Sequence, residues 1–545
     1  MTPICNITRV GFRPICFSPT LFWYELSSRK QIDQEMEYQR LIDNQDERDV
    51  EETGSETLYE DALKQTGYGR FHWLVLFLCG WAVSSDAIEV LSVSFMLPSA
   101  QKDLDMSSVD KGWLNAIIFV GMMIGGYFWG SLADRHGRRT VLLGSLTVNG
   151  LGGLVSSTSQ VFWLFLLARF ISGIGVGGSI PVIFSYFTEF QPKDRRGKMI
   201  SALATFWMFG NIIAAGLAWS VIPRDIGYHS ASFKYNSWRI FVALCTIPSL
   251  TSAVFFIFMP ESPKFLLTIG QNRKALSVLK FIHKKNKQPS SYKVTSLVLD
   301  PDHRPIHLTH QDTGCVSSIS RNLKSLASIS GELFRPPLLR SSVIMLIINF
   351  TLSFGYYGLW MWFPELFSRV EKYGGSPCDH HVGPPNRTTN STGAMDKDWI
   401  YFSGFLTALS NLPGNLLTIY LMDQLGRKLL LSSSMVASGV CVFFIPLVRD
   451  KWQNLGVSCL FGAVSTVGWN ALDVLSTELF PTNVRSTSMG IQTGVGRIAA
   501  IFGNVIFGEL VDVHCSIPMI LVSGLLVFGG LTSIRLPSTV RTDIH

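Results

Sequence analysis

The chain has 545 residues, of which 47% are apolar and only 16% charged, and its mean hydropathy is +0.28. A soluble domain of this size needs less apolar sequence, so a lipid environment is the simplest explanation. The formal charge of +7 does not indicate nucleic-acid binding, because the basic residues are spread between apolar runs and are not gathered on one face or tail.

Residues 1–70 are predicted to form a cytosolic tail that is largely disordered. Its first part is basic and interrupted by prolines, without the apolar core of a cleaved signal peptide. Residues 33–61 are rich in Asp and Glu and nearly free of aromatic residues, so they cannot bury enough surface to fold alone. A short helix at 57–66 is the one element expected there. The acidic stretch is a candidate binding segment for vesicle-trafficking proteins.

From Phe71 onward, apolar stretches of about 20 residues recur, each long enough to cross roughly 30 Å of hydrocarbon. They must be helices, because a backbone amide has no water partner in lipid. The prediction is an all-α polytopic membrane protein with twelve transmembrane helices. They are placed near 71–98, 113–132, 141–158, 162–184, 201–222, 238–258, 340–363, 400–421, 428–447, 455–478, 487–508 and 516–534.

A long basic break at 259–339 separates six predicted spans from six. The N-terminal six-helix half is placed at 71–258 and the C-terminal half at 340–534, with a short tail at 535–545. Lys and Arg concentrate in the loops on the same side as this break, and the positive-inside rule then places both termini and the central loop in the cytosol.

The long loop at 368–398 consequently falls on the lumenal side. It contains two glycosylation sequons, which begin at Asn386 and Asn390. Two sequons in the one long outward loop agree independently with the charge distribution, so both asparagines are predicted to carry glycans.

An internal repeat relates the two halves. The loop DRHGRR at 134–139 follows the second span, and DQLGRK at 423–428 follows the eighth. The segments Thr188-Glu189-Phe190 and Thr477-Glu478-Leu479 follow, with each glutamate 55 residues after the first residue of the respective loop, and the offset between the halves is 289 residues in both cases. A shared interval indicates structural repeats, which lie parallel in the membrane because each has six spans.

The repeated charges are predicted to form a cytoplasmic gate, since symmetric halves need equivalent latches. The alternative is that these loops only fix the orientation of the chain through their charge. The candidate gate residues are Asp134, Arg138, Arg139, Glu189, Asp423, Arg427, Glu478 and Arg485.

Several motifs resemble those of known transporter families. DRHGRR and DQLGRK resemble the cytoplasmic loop motif of the major facilitator superfamily, and PESP at 260–263 resembles the sugar-porter signature. Longer segments are similar to the synaptic vesicle glycoprotein 2 family: LPSAQKD (97–103), SGIGVGGSIPVIFSYFTEF (172–190), SFGYYGL (353–359) and WNALDVLSTELFP (469–481). The resemblance runs from about Tyr59 to Pro537 and implies the major facilitator fold.

One departure from that family is large. The family carries an extended lumenal domain of pentapeptide repeats between spans seven and eight, and only about 30 residues, 368–398, occupy that place here. Functions that depend on that domain, including toxin reception, are therefore not expected of this chain.

Charges inside apolar spans are informative because each costs about 2.5–3.5 kcal/mol on insertion scales near the bilayer centre. Asp86 and Glu89 lie at i and i+3 in the first span, so both can face a central cavity from one stripe. Two carboxylates this close suit proton coupling. The alternative is a pair of ions satisfied by their neighbours.

In span ten, Trp469, Asn470 and Asp473 share one helical face. A ring beside an amide and a carboxylate suits a small polar ligand, although ordinary packing is the alternative. Trp207 in span five and Tyr356 and Tyr357 in span seven can complete the wall. The family resemblance implies that Asp86, Trp207, Tyr356, Tyr357, Trp469, Asn470 and Asp473 line the central cavity.

Arg169 and Arg497 are the only basic residues well inside apolar runs. No charge lies near Arg497 in sequence, so its partner must come from a ligand or from another helix, for example Asp473. Arg497 is therefore included in the predicted cavity, and the matching position in the family is a lysine. The glycines at 173, 175, 177 and 178 are predicted to allow close helix approach where the halves rock.

No nucleophile, cofactor or metal site is predicted. The eleven histidines are scattered, and no Ser-His-Asp or Cys-His pattern occurs, so an enzyme is not expected. The nine cysteines are an odd number without metal-ligand spacing, so a disulfide or zinc framework is not expected either.

The function predicted is a transporter of a small organic solute by alternating access, coupled to a proton or ion, in a secretory or synaptic vesicle membrane rather than the plasma membrane. The alternative is a vesicle membrane glycoprotein that acts mainly in exocytosis or trafficking by binding partners. The acidic segment 33–61 motivates that alternative.

The glycosylation sites test the predicted topology. Glycosidase treatment should shift the electrophoretic mobility of the wild-type protein and should not shift that of an Asn386→Gln, Asn390→Gln double variant, because only a lumenal loop receives N-linked glycans. Retention of glycan in the double variant would show that the lumenal loop is wrongly assigned.

Overall fold

The computed structural model describes residues 56–224, 226–229, 233–287, 292–298, 331–373, 377–378 and 397–537. The chain divides into two units, and all the helices below lie in the larger one, which comprises Thr57–Lys293 and Leu297–His545. The smaller unit is Met1–Glu56 with Val294–Ser296. The two sequons, most of the N-terminal tail and much of the central loop lie outside the described residues.

The first half contains one short and six long helices within the described residues up to 256. The short helix α1 is Tyr59–Gln65, where a helix at 57–66 is predicted. The long helices are α2 (Arg70–Ala100), α3 (Ser108–His136), α4 (Arg138–Thr158), α5 (Phe162–Glu189), α6 (Lys193–Val221) and α7 (Ser237–Phe256). Two helices of the central loop follow, α8 (Pro263–Thr268) and α9 (Asn272–Lys285).

The second half contains α10 (Leu339–Trp360), α11 (Phe363–Tyr373), α12 (Lys397–Leu409), α13 (Asn411–Leu425), α14 (Arg427–Phe444), α15 (Lys451–Glu478), α16 (Thr482–Leu510) and α17 (Ser516–Ser533). A 3-10 turn, Ile445–Leu447, extends α14. The described strands are short: β1 (Glu56–Leu58), β2 (Tyr228–His229), β3 (Lys234–Tyr235) and β4 (Ser296–Val298), of which β2 and β3 pair antiparallel with Tyr228 opposite Tyr235.

Eleven of the described helices are long and apolar enough to cross a membrane. The remaining predicted span, 400–421, is built from α12 and α13, which meet at Ser410. Pro413 lies in the first turn of α13 and has no N–H to donate to the carbonyl of Leu409, four residues earlier, so the helical ladder is interrupted. The Ser410 hydroxyl instead donates to the carbonyl of Cys459 on α15 at 3.0 Å. The fold is therefore the predicted one, with twelve spans in two halves.

Two glycines related by the repeat end equivalent helices. Gly137 follows α3 and Gly426 follows α13, with φ of 93° and 79°. These left-handed conformations strain any residue that has a Cβ. The glycine common to DRHGRR and DQLGRK therefore permits a sharp turn between consecutive spans, and the arginine after it begins the next helix.

The two halves meet along two seams, where α3 packs on α16 and α6 packs on α12. On the first seam, a Cβ added at Gly112 would lie 3.1 Å from the Cα of Gly508. The predicted role of the span-four glycines in the rocking interface is wrong. A Cβ at Gly175 would meet the Asn149 backbone on α4, and one at Gly173 would meet the Ile118 carbonyl on α3, so these glycines allow close packing inside the first half.

An ion cluster joins the halves at one end of the α3–α16 seam. Lys111 on α3 contacts Glu365 on α11 at 2.7 Å, and the two side chains are only 1% and 7% exposed. Arg369 contacts the same carboxylate at 3.2 Å and Asp512, after α16, at 2.7 Å. We call these four residues the inter-half cluster.

A disulfide lies close in sequence to the inter-half cluster. Cys378, which follows α11, is bonded to Cys515, which precedes α17. The prediction against disulfides is wrong here, because an odd cysteine count does not prevent one pair from forming. Four other cysteines of the described ranges are free: Cys79, Cys245, Cys441 and Cys459.

The inter-half cluster yields a stability prediction. Glu365→Gln should lower the melting temperature of the purified protein. The substitution leaves the Lys111 charge buried without a carboxylate, which typically costs about 3–5 kcal/mol. The matched control is Asp105→Asn, which changes an exposed carboxylate in the α2–α3 loop. Equal melting temperatures for both variants would contradict the assignment.

Mild acid should leave Asp512 charged. Burial acts to raise the pKa of Asp512, but hydrogen bonds from Ser108 and Arg369 and the positive charge of Arg369 outweigh it, and the pKa lies below its ordinary value of 3.8. A depressed carboxyl pKa stabilises the fold above the unfolded value, and the contribution is lost as the pH falls through the folded value. The ion pair with Arg369 should therefore persist at about pH 5.

Candidate functional site

An aromatic wall forms where α10 meets α15. The rings of Tyr356 and Tyr357 each lie 5.9 Å from the ring of Trp469, and they lie 5.2 Å from one another. Trp360, one turn later, stacks on Tyr356 with ring centres 5.4 Å apart. The structure thus brings together three of the aromatic residues selected from the sequence. Trp207 lies on α6, partly buried, and no ring contact between it and this wall occurs among the described residues.

Asp473 lies on the same face of α15, one turn after Trp469. Its side chain is exposed and has neither an ion pair nor a hydrogen bond among the described residues. Asn470 donates a hydrogen bond to Asn415 on α13 at 2.7 Å, so its amide is held by a neighbouring span. A carboxylate left unpaired beside aromatic rings within a membrane span is available to a ligand.

Arg497 faces the wall from α16. Its guanidinium lies 5.7 Å from the ring centre of Phe119 and 5.9 Å from that of Tyr357. Phe119 belongs to α3, so this cation–π contact spans the two halves. The hypothesis that Asp473 pairs with Arg497 has no support, because within the described part of the chain neither forms an ion pair. The site therefore presents an acceptor and a cation separately.

Glu89 is engaged inside the first half. Its carboxylate contacts Arg169 on α5 at 2.6 Å, with the side chains 2% and 0% exposed, and accepts a hydrogen bond from Ser172. Arg169 also donates to the Ser92 hydroxyl at 3.1 Å. These contacts favour the alternative considered for Glu89, an ion satisfied by its neighbours.

Asp86 is also fully buried, between α4 and α5. It accepts hydrogen bonds from Ser179 at 2.7 Å and from the Asn149 amide at 3.3 Å. The Asn149 oxygen contacts the hydroxyl of Ser172 at 2.9 Å, and that hydroxyl also contacts Glu89. A chain of hydrogen-bonding groups thus connects the two carboxylates. Ser172 has a single proton, so it can donate to only one of its two acceptors at a time.

Sequence reasoning missed Asn149, Ser172 and Asn415. Each is an uncharged polar residue, and such residues are too common in membrane spans to stand out. A usable signal exists for Asn149, since an amide in a glycine-rich stretch of span three, VNGLGG, needs a partner in lipid.

The repeated loops form equivalent ion pairs. Arg138 contacts Glu189 at 3.3 Å in the first half, and Arg427 contacts Glu478 at 3.2 Å in the second. Asp134 contacts Arg138 at 3.3 Å but is 75% exposed, so it contributes less than Glu189. The side chain of Asp423 lies outside the described residues. Arg485 donates to the Phe480 carbonyl at 3.2 Å.

The PESP segment joins the charged loop of the first half. Glu261 accepts hydrogen bonds from the backbone N–H groups of Arg138 at 2.9 Å and Arg139 at 3.1 Å. A carboxylate at a helix N-terminus satisfies unpaired donors and complements the helix dipole. Arg139 reaches back to the carbonyl of Ile257 at 2.6 Å, which fixes the end of α7 against the start of α4. Glu261 was not among the residues selected from the sequence.

Comparison with known proteins gives concordant similarities. A profile of the Major Facilitator Superfamily matches residues 73–503. Synaptic vesicle glycoprotein 2C of Rattus norvegicus is 33% identical over 611 residues, covering 93% of this chain and 84% of the relative. Synaptic vesicle glycoprotein 2B of Homo sapiens is 33% identical, covering 88% and 85%, and glycoprotein 2A of Rattus norvegicus is 32% identical, covering 88% and 79%.

Solved structures show the same fold. The partially occluded inward-open conformation of the xylose transporter XylE from E. coli superposes with a TM-score of 0.63 at 17% identity, covering 87% of this chain and 99% of that one. Its inward-open conformation gives a TM-score of 0.62 at 17% identity, covering 86% and 97%.

Asp473→Asn should weaken binding without harming the fold. The probe is whichever sugar, amine or organic anion raises the melting temperature most in a thermal-shift screen. Loss of a hydrogen bond to a charged group costs about 1.5–3 kcal/mol, or roughly tenfold to a hundredfold in affinity.

Folded yield should stay normal because Asp473 has no structural partner in the described residues, and Asp105→Asn should change neither quantity. Unchanged affinity in Asp473→Asn would remove this residue from the site.

Proposed function

The chain belongs to the major facilitator superfamily and, within it, to the synaptic vesicle glycoprotein 2 family, and from this premise we propose that it is a vesicular transporter of a small organic solute. The observation that carries the proposal is Asp473, an exposed carboxylate one turn from Trp469 that is unpaired among the residues the structure describes. Trp469 supplies stacking area, and the carboxylate accepts hydrogen bonds from hydroxyl or ammonium groups. A polar solute with such groups fits the site best.

The two seams support transport by alternating access. The α3–α16 and α6–α12 contacts allow the halves to rock as parallel repeats around the wall. We assign the loops with Arg138 and Arg427 to the cytosolic end, following the positive-inside rule, and the inter-half cluster to the lumenal end. The cluster must separate whenever the site opens to the lumen, and the gate pairs hold the loops of each half.

The buried carboxylates of the first half are the proposed coupling element. Asp86 and Glu89 are joined through Asn149 and Ser172, and Arg169 balances one negative charge. A proton added to the Asp86 or Glu89 carboxylate changes the acceptor that the Ser172 hydroxyl prefers. It therefore changes the contacts among α2, α4 and α5. One related fold, XylE, is described as a proton:xylose symporter.

Partner binding through the tail is the second candidate. Helix α1 begins at the end of the acidic stretch and contacts the gate directly: the Tyr59 hydroxyl donates to the Glu189 carbonyl at 2.6 Å, and Glu60 pairs with Arg196 at 2.9 Å. A protein bound to the acidic segment would therefore act next to the gate. On this view transport is secondary, and trafficking partners are the main ligands.

Uptake into proteoliposomes tests the proposal. Protein reconstituted with an imposed proton gradient should accumulate the solute found by thermal shift, and Asp473→Asn should reduce uptake at least tenfold, by the affinity loss expected above. A deletion of residues 1–55 retains α1 and should leave uptake intact. Absence of uptake under every imposed ion gradient, together with loss of partner recovery in the deletion variant, would favour the trafficking function instead.

A further inference from the structure

Helix α9 has one buried face and one basic face. Its buried side is formed by Ala275, Val278, Leu279 and Ile282, and the helix packs mainly on α8, with further contacts to α1 and α2. The opposite stripe carries Arg273, Lys280 and Lys284, all exposed, at the spacing that places them in one row along the helix, and Lys287, also exposed, follows the end of the helix. A basic helix face of this kind is usually only solvated, and its charges alone do not indicate a ligand.

A buried asparagine fixes the basic end of α9 to the start of the first span. The Asn286 side chain accepts a hydrogen bond from the backbone N–H of Phe71 at 3.0 Å. Its amide donates to the carbonyls of Thr66 at 3.2 Å and Gly67 at 2.8 Å. Lys284, Lys285 and Lys287 are therefore held beside the first turn of α2, and their position does not depend on a flexible loop.

That turn is where the chain enters the bilayer. Arg70 is exposed at the first position of α2, and Trp73, one turn later, is 52% exposed. Tryptophan at this depth is typical of the lipid–water interface. Phe281 of α9 is 39% exposed and packs edge-on against Phe71 with ring centres 6.1 Å apart. The basic end of α9 thus lies at the height of lipid head groups.

Within the described part of the chain, the charges at this place have no carboxylate as counter-ion. Residues 262–299 contain eight Lys or Arg and no Asp or Glu. Among the described residues, no carboxylate forms an ion pair with Arg70, Lys284, Lys285 or Lys287. Several cations held together next to a membrane surface attract anionic lipids.

Lys287 occupies a position that favours glycine. It follows the C-cap of α9 with φ of 54°, in the left-handed region. Glycine usually stands there, and asparagine less often, because a Cβ is strained in this region. The lysine therefore opposes the local preference of the backbone, as expected where a side chain serves another purpose.

We propose that Arg70, Lys284, Lys285 and Lys287 form a binding site for the head group of a phosphorylated inositol lipid in the cytosolic leaflet. The proposal rests on the orientation assigned above but not on transport. Four cations around one helix turn suit a ligand with several phosphates, whereas one phosphate needs only one or two of them. A phosphoinositide, and not a lipid with a single negative charge, is the expected ligand.

Purified full-length protein can be melted in detergent with dioctanoyl phosphatidylinositol 4,5-bisphosphate, dioctanoyl phosphatidylserine or dioctanoyl phosphatidylcholine. The bisphosphate should raise the melting temperature, because a ligand that binds only the folded state stabilises it. A Lys284→Gln, Lys287→Gln double variant should need at least tenfold more lipid for the same shift. A Lys193→Gln, Lys198→Gln double variant, which removes equal exposed charge at the same end, should respond as wild type.

Lys287→Gly separates the lipid site from a structural role. Without lipid it should melt higher than wild type, since the left-handed strain is relieved. With the bisphosphate its shift should be smaller than that of wild type. A full shift in Lys287→Gly, an equal response to phosphatidylserine, or equal losses in both double variants would overturn the proposal. So would a full shift with inositol 1,4,5-trisphosphate alone, which would indicate a site for soluble anions.

Discussion

The rest of this structure depends on one constraint: lipid cannot form hydrogen bonds with the polar groups of the protein. Every polar group inside the spans must find a partner within the protein or face a water-filled cavity. Glu89 finds Arg169, Asp86 finds Ser179 and Asn149, and Lys111 finds Glu365. Asp473 stands apart from these carboxylates because it is exposed and the described residues offer it no partner. The same rule that explains the fold therefore selects the residue most open to a ligand.

The fold could be predicted largely from the sequence, because its determinants are local or repeated. Span length follows from apolar runs, and the shared offset of the DRHGRR and DQLGRK loops indicates the two halves. The pairing of Arg138 with Glu189 and of Arg427 with Glu478 follows that repeat. What could not be predicted depends on packing between helices: which neighbour Glu89 meets, which face of span four the glycines line, and that Cys378 meets Cys515.

The candidate site, like the fold, could be predicted from the sequence only in part. The aromatic wall of Tyr356, Tyr357 and Trp469 was selected because rings beside polar residues are unusual in a span, and the helices do bring these rings together. Ser172 carries no charge, so nothing in the sequence distinguishes it from an ordinary packing residue, and only the glycine-rich stretch around Asn149 sets that amide apart. Their connection between Asp86 and Glu89 appears only when three helices are assembled. Side-chain chemistry is visible in a sequence, whereas connectivity is not.

The interruption of span eight affects how motion reaches the site. Helix α12 packs on α6 of the opposite half, while α13 packs on α15 and contacts it through Asn415 and Asn470. Pro413, in the first turn of α13, has no N–H to bond the Leu409 carbonyl. The backbone hydrogen bond that would join α12 and α13 into one continuous helix is therefore missing. Span eight can therefore bend at this break, so that α12 can follow the first half while α13 stays with the aromatic wall. The second half can then bend within one of its spans, so the two structural repeats need not move in the same way.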